Sequence, residues 1–288
     1  MHPIRDSFAD ADGLALYVRE AGRGSPLIVL HGGPDFDHTY LLPGMDALAD
    51  CCRLAYFDQR GRGRSKRGFR IEDVGIERAV ADVDAVRRHL GAERVAILGH
   101  SWGGHLAMQY ALRHPGHVSR MILLNTAPAT NEDWETMIRE RGAKRPAAEA
   151  AQLEEMEASA ALLEGDPQAV ARYYRIGFSD AFPDPADLDR LDLGLTSRDD
   201  ILVGRDVEAR LLETLYPAPG FTIVPQLERL RMPTLVIHGR QDFIPAEAAA
   251  RIARAIPGAR LEILERSGHF SYIDAAEPMG ALVRSFIA

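Results

Sequence analysis

The stretch Gly99-His100-Ser101-Trp102-Gly103 has the pattern Gly-x-Ser-x-Gly, with one serine between two glycines. An apolar run of strand type, 94–98, precedes it, and an apolar run of helical type, 105–112, follows it. In this context the turn exposes a nucleophilic serine, because the glycines let the backbone approach itself closely. The start of the helix also favours an anion that develops at the serine. We therefore predict that Ser101 is a catalytic nucleophile.

Strands and helices alternate along the chain on both sides of this turn. Residues 4–9 and 14–18 flank a turn sequence and predict a hairpin. Apolar runs typical of strands buried on both faces occur at 26–30, 53–57, 94–98, 121–124, 234–237 and 261–264. Apolar residues at helical spacing occur at 71–90, 105–112, 246–255 and 277–287. The alternation predicts an α/β fold, with a mostly parallel sheet flanked by helices.

One segment, from Asn131 to about Leu215, interrupts this alternation. It is helical in pattern and rich in alanine and glutamate, and proline-rich breaks at 183–185 and 217–220 punctuate it. We read it as an α-helical cap inserted between two core strands. The predicted domains are a core of residues 1–128 and 226–288 and a cap of residues 129–225.

The charge of the chain is uneven. The 288 residues carry a net charge of −8, which argues against a nucleic-acid partner or an anionic membrane surface. Residues 126–230 contain 21 acidic and 11 basic side chains, a net charge of −10, whereas the rest carries +2. We expect this acidic segment to favour cationic or zwitterionic small-molecule or short-peptide substrates. The first residues lack an apolar signal core, so we predict a cytoplasmic location without membrane association.

The two cysteines, Cys51 and Cys52, are adjacent. Neighbouring cysteines rarely bridge each other because the geometry is strained, so we expect no disulfide. We expect both to pack as small hydrophobic residues at the start of a buried strand. No His-Glu-x-x-His or comparable metal-binding spacing occurs, and we predict neither a metal nor a cofactor.

Two residues at predicted strand ends complete a candidate triad with Ser101. Asp242 follows the 234–237 run, and His269 follows the 261–264 run in a loop that begins Ser267-Gly268. Serine is a weak nucleophile at neutral pH, so a histidine must accept its proton and a carboxylate must orient that histidine. The order serine, aspartate, histidine along the chain agrees with triads built on a mostly parallel sheet.

Other residues compete for these roles. Asp133 is the rival acid, but the position directly after the 121–124 strand holds Asn125, which favours Asp242. His238 precedes the acid loop, and we expect it to pack in the core. We assign no proton-transfer role to His100, which occupies a variable position of the motif.

An oxyanion site needs two backbone N–H groups, because negative charge develops on the substrate oxygen. Trp102, directly after the nucleophile, supplies one, and Gly33 in His31-Gly32-Gly33-Pro34 is the candidate for the other. The segment 58–65, Asp-Gln-Arg-Gly-Arg-Gly-Arg-Ser, lacks the lysine and spacing of a phosphate-binding loop. We predict that it holds the loop beside Ser101.

Together these motifs resemble the α/β-hydrolase superfamily and, within it, the proline iminopeptidase-like serine peptidases. The resemblance rests on 31–34, 58–65, 99–104, Asp242 and 267–269, and it covers roughly residues 4–125 and 225–287. It implies a cofactor-free serine hydrolase that works through an acyl-enzyme. It further implies release of an N-terminal residue, often proline, from small peptides or amides.

Such an enzyme must bind a free amine, and a buried ammonium group needs a carboxylate partner. Some members carry acids at positions that correspond to Gly220 and Phe243 here, and a glycine at the position of Asp35. The cap offers other acids, namely Glu154, Glu157, Glu208 and Glu213. The alternatives are a carboxylesterase or lactonase, or a carbon–carbon bond hydrolase of small acids, with the same machinery. A non-catalytic ligand receptor on this fold would be expected to lack a triad member.

Overall fold

The structure is a computed structural model that describes residues 3–215 and 220–288. Its strands are β1 (Ile4–Ala11), β2 (Leu14–Gly22), β3 (Pro26–Leu30), β4 (Arg53–Phe57), β5 (Val95–His100), β6 (Val118–Leu124), β7 (Thr234–Gly239) and β8 (Arg260–Leu264). They form one sheet in the order β1-β2-β4-β3-β5-β6-β7-β8. The pairs β1–β2 and β2–β4 are antiparallel, and the other pairs are parallel. The predicted hairpin and mostly parallel sheet are confirmed.

Helices connect these strands. They are α1 (Ile76–His89), α2 (Trp102–Arg113), α3 (Asn131–Lys144), α4 (Ala147–Glu157), α5 (Ala160–Leu163), α6 (Pro167–Gly177), α7 (Arg198–Leu215), α8 (Val224–Leu227), α9 (Ala246–Ala255), α10 (Ser271–Asp274) and α11 (Ala276–Ile287). Short 3-10 helices occupy His38–Leu41, Gly44–Asp50, Ile71–Asp73, Pro115–His117 and Pro185–Arg190. The predicted helix at 71–90 is therefore α-helical only from Ile76. Within the described ranges, no helix is long and apolar enough to cross a membrane.

The sheet separates two hydrophobic cores. Side chains alternate across a strand, so Ile28 and Leu30 of β3 pack on one face and Leu27 and Val29 on the other. The first core includes residues of α1, α2 and α9, and the second includes residues of α11 and of the 3-10 helix Gly44–Asp50. Layers of this kind bury the sheet on both faces and place reactive loops at the carboxyl ends of the parallel strands.

The segment between β6 and β7 contains helices and no strand that joins the sheet in its described part. Thr130 and Thr222 pair in an isolated antiparallel bridge, so the chain leaves the sheet region and returns to it side by side. The first proline-rich break leads into the 3-10 helix Pro185–Arg190. Most of the second, at 217–220, lies outside the described residues. The domain boundaries at 129 and 225 stay a prediction.

The two cysteines differ from the expectation. Cys52 is buried at the start of β4, as predicted, but Cys51 is exposed. Their backbone lies in the turn that follows the 3-10 helix Gly44–Asp50, before the continuously buried residues of the strand begin. Both thiols are free.

Candidate active site

Ser101 lies in a sharp turn between β5 and α2. Its backbone has φ +54° and ψ −122°, a conformation that costs free energy for a residue with a side chain. The flanking glycines allow the turn to close, because a Cβ atom at Gly99 would lie 2.2 Å from the carbonyl oxygen of Gly103. One at Gly103 would lie 2.1 Å from the carbonyl oxygen of Leu30 in β3. The turn thus presents the serine at the end of a central strand.

His269 and Asp242 form a pair beside this turn. The Nδ1–H of His269 donates to the carboxylate of Asp242, with distances of 3.0 Å to Oδ1 and 3.1 Å to Oδ2. Ser101 and His269 line the same cavity. The structure therefore places Asp242 in contact with His269, and His269 in the wall of the same cavity as Ser101, while the catalytic roles of the three residues stay a prediction.

The Asp242 side chain is fully buried but remains ionised. Burial alone would raise its pKa, whereas the neighbouring rings of His269 and His238 and the hydrogen bonds that it accepts lower the pKa to about 2. It accepts from the backbone N–H of Ile244 and from Nδ2 of Asn125, each at 2.9 Å. A carboxylate held in this way keeps one tautomer of His269, with Nε2 free to accept a proton.

The two predicted oxyanion donors are the backbone N–H groups of Gly33 and Trp102. Throughout residues 3–215 and 220–288, neither N–H has a hydrogen-bond acceptor within the protein. Gly33 has φ +105°, and a Cβ atom there would lie 2.5 Å from the backbone nitrogen of Asp35. Both residues line the cavity with Ser101, so the two free donors are available to a ligand oxygen.

A buried relay that the sequence did not reveal joins three parts of the site. The N–H of Gly32 donates to the hydroxyl of Tyr40 at 2.6 Å, and that hydroxyl donates to Nδ1 of His100 at 2.7 Å. Nε2–H of His100 donates to the backbone carbonyl of His269 at 3.0 Å. Burial lowers the pKa of His100 to about 3, so its ring is neutral and serves as both donor and acceptor. His100 thus fixes the His269 backbone relative to Tyr40 and the loop before Gly33. The only sign of this role in the sequence is that His100 lies directly before Ser101.

The competing residues lie elsewhere. Asp133 lies in the first turn of α3, where its backbone N–H donates to the hydroxyl of the N-cap residue Thr130. Its carboxylate lies 3.0 Å from Nε of Arg251. His238 is buried as expected, and its Nε2 donates to the carbonyl of Ile244 at 2.8 Å. The same Nε2 lies 3.7 Å from Oδ2 of Asp242, so this histidine also supports the acid electrostatically.

The segment 58–65 lies beside the turn, as predicted. Oε1 of Gln59 accepts from the indole N–H of Trp102 at 3.0 Å. The backbone N–H of Gln59 donates to Nε2 of His31 at 3.1 Å. Asp58 accepts from Nδ1 of His38 at 2.6 Å. These bonds tie the residues that flank Ser101 to those that precede Gly33.

A cavity of about 260 Å³ opens above Ser101. Its walls are largely aromatic, and they come both from the sheet side and from the inserted helical segment. From the sheet side come Phe36, Phe243 and Phe270, and from the inserted segment come Trp134, Tyr174 and Phe178. A site of this size and character suits a small ligand with apolar parts and a few polar anchors.

Two carboxylates enter this cavity, from Asp35 and Glu208. The hydroxyl of Tyr174 donates to Asp35, while Glu208 has no hydrogen bond or ion pair among the described residues. Gly204, one helical turn before Glu208, lets α7 approach closely, because a Cβ atom there would lie 2.7 Å from the Asp35 carbonyl oxygen. Burial, together with the charge of Asp35, raises the pKa of Glu208 to about 8, and burial raises that of Asp35.

The other acids considered from the sequence do not contribute to this cavity. The cavity lining does not include Glu154, Glu157 or Glu213. Of the two positions where some relatives carry acids, Gly220 lies outside the lining and Phe243 is part of it. Among the described residues, one cation also lines the cavity, Arg141 of α3. The sequence pattern of an Ala/Glu-rich helical segment could not tell which side chains point inward.

Two groups of side chains in the described part of the chain have metal-ligand atoms within 4.8 Å of one another: Asp84 with His114 and His117, and Asp37 with His38 and Asp58. The Asp84 carboxylate already accepts from Arg87, the Tyr110 hydroxyl and His117. Neither group lines the cavity above Ser101.

Comparison with known families identifies the fold. The family model described as alpha/beta hydrolase fold matches residues 25–276. The chain therefore belongs to the α/β-hydrolase fold family, as the motifs around Ser101 predicted.

Three relatives illustrate the range within this family. The proline iminopeptidase of Saccharolobus solfataricus is 25% identical, over 99% of this chain and 92% of the relative. The 2-hydroxymuconate semialdehyde hydrolase of Pseudomonas putida is 28% identical, over 96% of this chain and 92% of the relative. The crystal structure of a proline iminopeptidase from Mycobacterium smegmatis superposes with a TM-score of 0.72 at 24% identity, over 98% of this chain and 97% of the other.

Proposed function

We propose that this protein is a serine hydrolase that releases the N-terminal residue, proline above all, from short peptides and amides. Ser101, His269 and Asp242 are the catalytic residues, and the N–H groups of Gly33 and Trp102 bind the oxyanion. The observation that carries the amine specificity is the pair of carboxylates, Asp35 and Glu208, in the same cavity as Ser101.

Acylation begins when Oγ of Ser101 attacks the carbonyl carbon of the scissile bond. Nε2 of His269 takes the hydroxyl proton, and Asp242 stabilises the resulting imidazolium through Nδ1–H. The carbonyl oxygen becomes an oxyanion that accepts from the N–H groups of Gly33 and Trp102. Collapse of this intermediate breaks the C–N bond, and His269 gives its proton to the departing amine.

Deacylation repeats these steps with water. His269 removes a proton from the water, whose oxygen attacks the acyl carbon of the ester on Ser101. The second oxyanion uses the same two donors. Collapse releases the free amino acid, and the serine oxygen recovers its proton from His269, so the enzyme returns to its starting state.

The substrate amine provides the second anchor. Taking an ammonium group out of water is costly unless a carboxylate pairs with it. Burial and the charge of Asp35 raise the pKa of Glu208, the charges of Arg205 and Arg62 oppose this shift, and Glu208 has no direct ion pair among the described residues. A substrate ammonium group can pair directly with Asp35 and Glu208, and an N-blocked substrate cannot.

The test is a paired rate comparison with Ser101→Ala as the blank. The substrates are proline and alanine arylamides with free amines, their N-acetylated versions and a short-chain aryl ester. We expect at least a hundredfold preference in kcat/KM for the free-amine proline arylamide over its N-acetylated form. Equal rates for the two forms would refute aminopeptidase specificity, and turnover that persists in Ser101→Ala would refute the nucleophile.

The alternative is an esterase, lactonase or carbon–carbon bond hydrolase with the same triad. The aromatic lining of the cavity favours it, as does the similarity to a 2-hydroxymuconate semialdehyde hydrolase. None of these three reactions requires a substrate amine for the two carboxylates to bind. Turnover of the aryl ester alone, abolished in Ser101→Ala, would establish this alternative.

A further inference from the structure

We infer that Arg141 forms a second charged subsite, which binds the C-terminal carboxylate of the substrate and makes dipeptides the preferred substrates. The inference rests on the proposed aminopeptidase function, because it places the departing residue beside His269. Nothing in the sequence motifs marks Arg141, which lies in the variable helical segment.

The guanidinium of Arg141 is held in place on one edge and open on the other. Nε donates to Oδ2 of Asp180 at 2.8 Å, and Nη2 donates to Oδ1 at 2.7 Å and also to the carbonyl of Gly177. The two N–H groups of Nη1 have no acceptor among the described residues, and Arg141 lines the cavity. A guanidinium fixed by one carboxylate binds a second carboxylate with little loss of side-chain entropy.

The position of this edge matches the departing side of the substrate. The guanidinium carbon lies 3.9 Å from the centre of the Phe243 ring, and that ring lies 4.3 Å from the ring centre of His269. The guanidinium is therefore within about 8 Å of the ring that protonates the departing amine. The Phe243 ring contacts both the Arg141 guanidinium and the His269 imidazole, and it lines the cavity as an apolar surface.

This distance sets the length of the substrate. One residue spans about 3.5 Å, and a guanidinium–carboxylate pair separates its hydrogen-bonded atoms by about 3 Å. One departing residue and its carboxylate together span about 6.5 Å, which is below this upper limit. A second departing residue adds another ~3.5 Å, which exceeds the available distance.

The two charged subsites are complementary in sign to a dipeptide zwitterion. Asp35 and Glu208 face the amine, and Arg141 faces the carboxylate. Arg145 offers an internal comparison, because it contacts the same Asp180 carboxylate at 3.6 Å but is outside the cavity lining. Its Nη1 and Nη2 donate to the carbonyls of Ile176 and Gly177 instead.

The experiment compares the dipeptide Pro-Ala with its C-terminal amide, Pro-Ala-NH2, as substrates of the wild type, Arg141→Met and Arg145→Met. In the wild type we expect kcat/KM to be at least tenfold higher for the acid than for the amide. In Arg141→Met this acid-to-amide ratio should fall below about twofold. In Arg145→Met it should stay within twofold of the wild-type ratio.

An acid-to-amide ratio near one in the wild type overturns the inference. A tenfold ratio that persists in Arg141→Met, or that is lost equally in Arg145→Met, also overturns it. If Arg141→Met does not fold, calorimetric binding of the acid and the amide to Ser101→Ala decides, and equal affinities overturn the inference. The proline arylamide, which has no carboxylate, separates the two proposals. Cleavage of the proline arylamide tests the proposed aminopeptidase activity. The acid-to-amide comparison tests the proposed carboxylate subsite at Arg141.

Discussion

Replacing Glu208 by glutamine keeps the shape of the side chain and removes the negative charge that it carries above about pH 8. The carboxylate lines the cavity without a partner, and burial beside Asp35 raises its pKa to about 8. If a substrate ammonium group supplies that partner, Glu208→Gln loses one charge-assisted hydrogen bond, about 1.5–3 kcal/mol. At ~1.4 kcal/mol for each factor of ten, kcat/KM for the free-amine proline arylamide should fall roughly tenfold to 100-fold.

The assay measures initial rates for the free-amine arylamide and its N-acetylated form in the same preparations. Glu213→Gln is the matched control, since Glu213 lies on the same helix, is largely exposed and lies 3.7 Å from Arg210. We expect the preference for the free amine to shrink in Glu208→Gln and to be retained in Glu213→Gln. An unchanged preference in Glu208→Gln would refute the assignment of the amine subsite.

Three further predictions concern the turn, the relay and pH. Gly103→Ala should destabilise the protein by about 3 kcal/mol in thermal or denaturant unfolding, because the added Cβ would lie 2.1 Å from a backbone carbonyl oxygen. The control Gly116→Ala, with open space around the added Cβ, should change stability by less than ~0.5 kcal/mol. Tyr40→Phe leaves the Gly32 N–H and Nδ1 of His100 unpaired, so it should lower stability by about 2–4 kcal/mol and kcat at least tenfold. The control is Tyr173→Phe, which removes only a hydroxyl bonded to an exposed glutamate and should match the wild type in stability and kcat. The raised pKa keeps Glu208 protonated below about pH 8, so the carboxylate gains the charge that binds the substrate amine as pH rises. KM for the free-amine arylamide should therefore fall between about pH 6.5 and 8.5, and a flat profile would contradict this reasoning.

Much of the core was readable from the sequence because it depends on local patterns. Continuous apolar runs predicted β3 and β4 with their observed bounds, since strands buried on both faces admit few polar residues. The glycines around Ser101 marked the turn because no larger residue fits there. The ends of α1 were less clear, since the preceding residues also place apolar side chains at helical spacing but form a separate 3-10 helix.

The substrate-binding groups were not readable, because they depend on distant contacts. Asp35 looked like a departure from a glycine position, and Glu208 was one of several acids in an acidic segment. Only the packing of α7 against the loop after Gly33 brings the two together. The link from Tyr40 through His100 to the His269 carbonyl likewise spans residues far apart in the chain.

The proposed function depends on Ser101 as the activated nucleophile of a serine hydrolase. The most direct measurement is reaction of the protein with a fluorophosphonate, followed by peptide mass spectrometry to locate the adduct. We expect one adduct on Ser101, formed more slowly in His269→Ala, suppressed by excess proline arylamide and absent from Ser101→Ala. No adduct, or an adduct on a different serine that persists in Ser101→Ala, would contradict it.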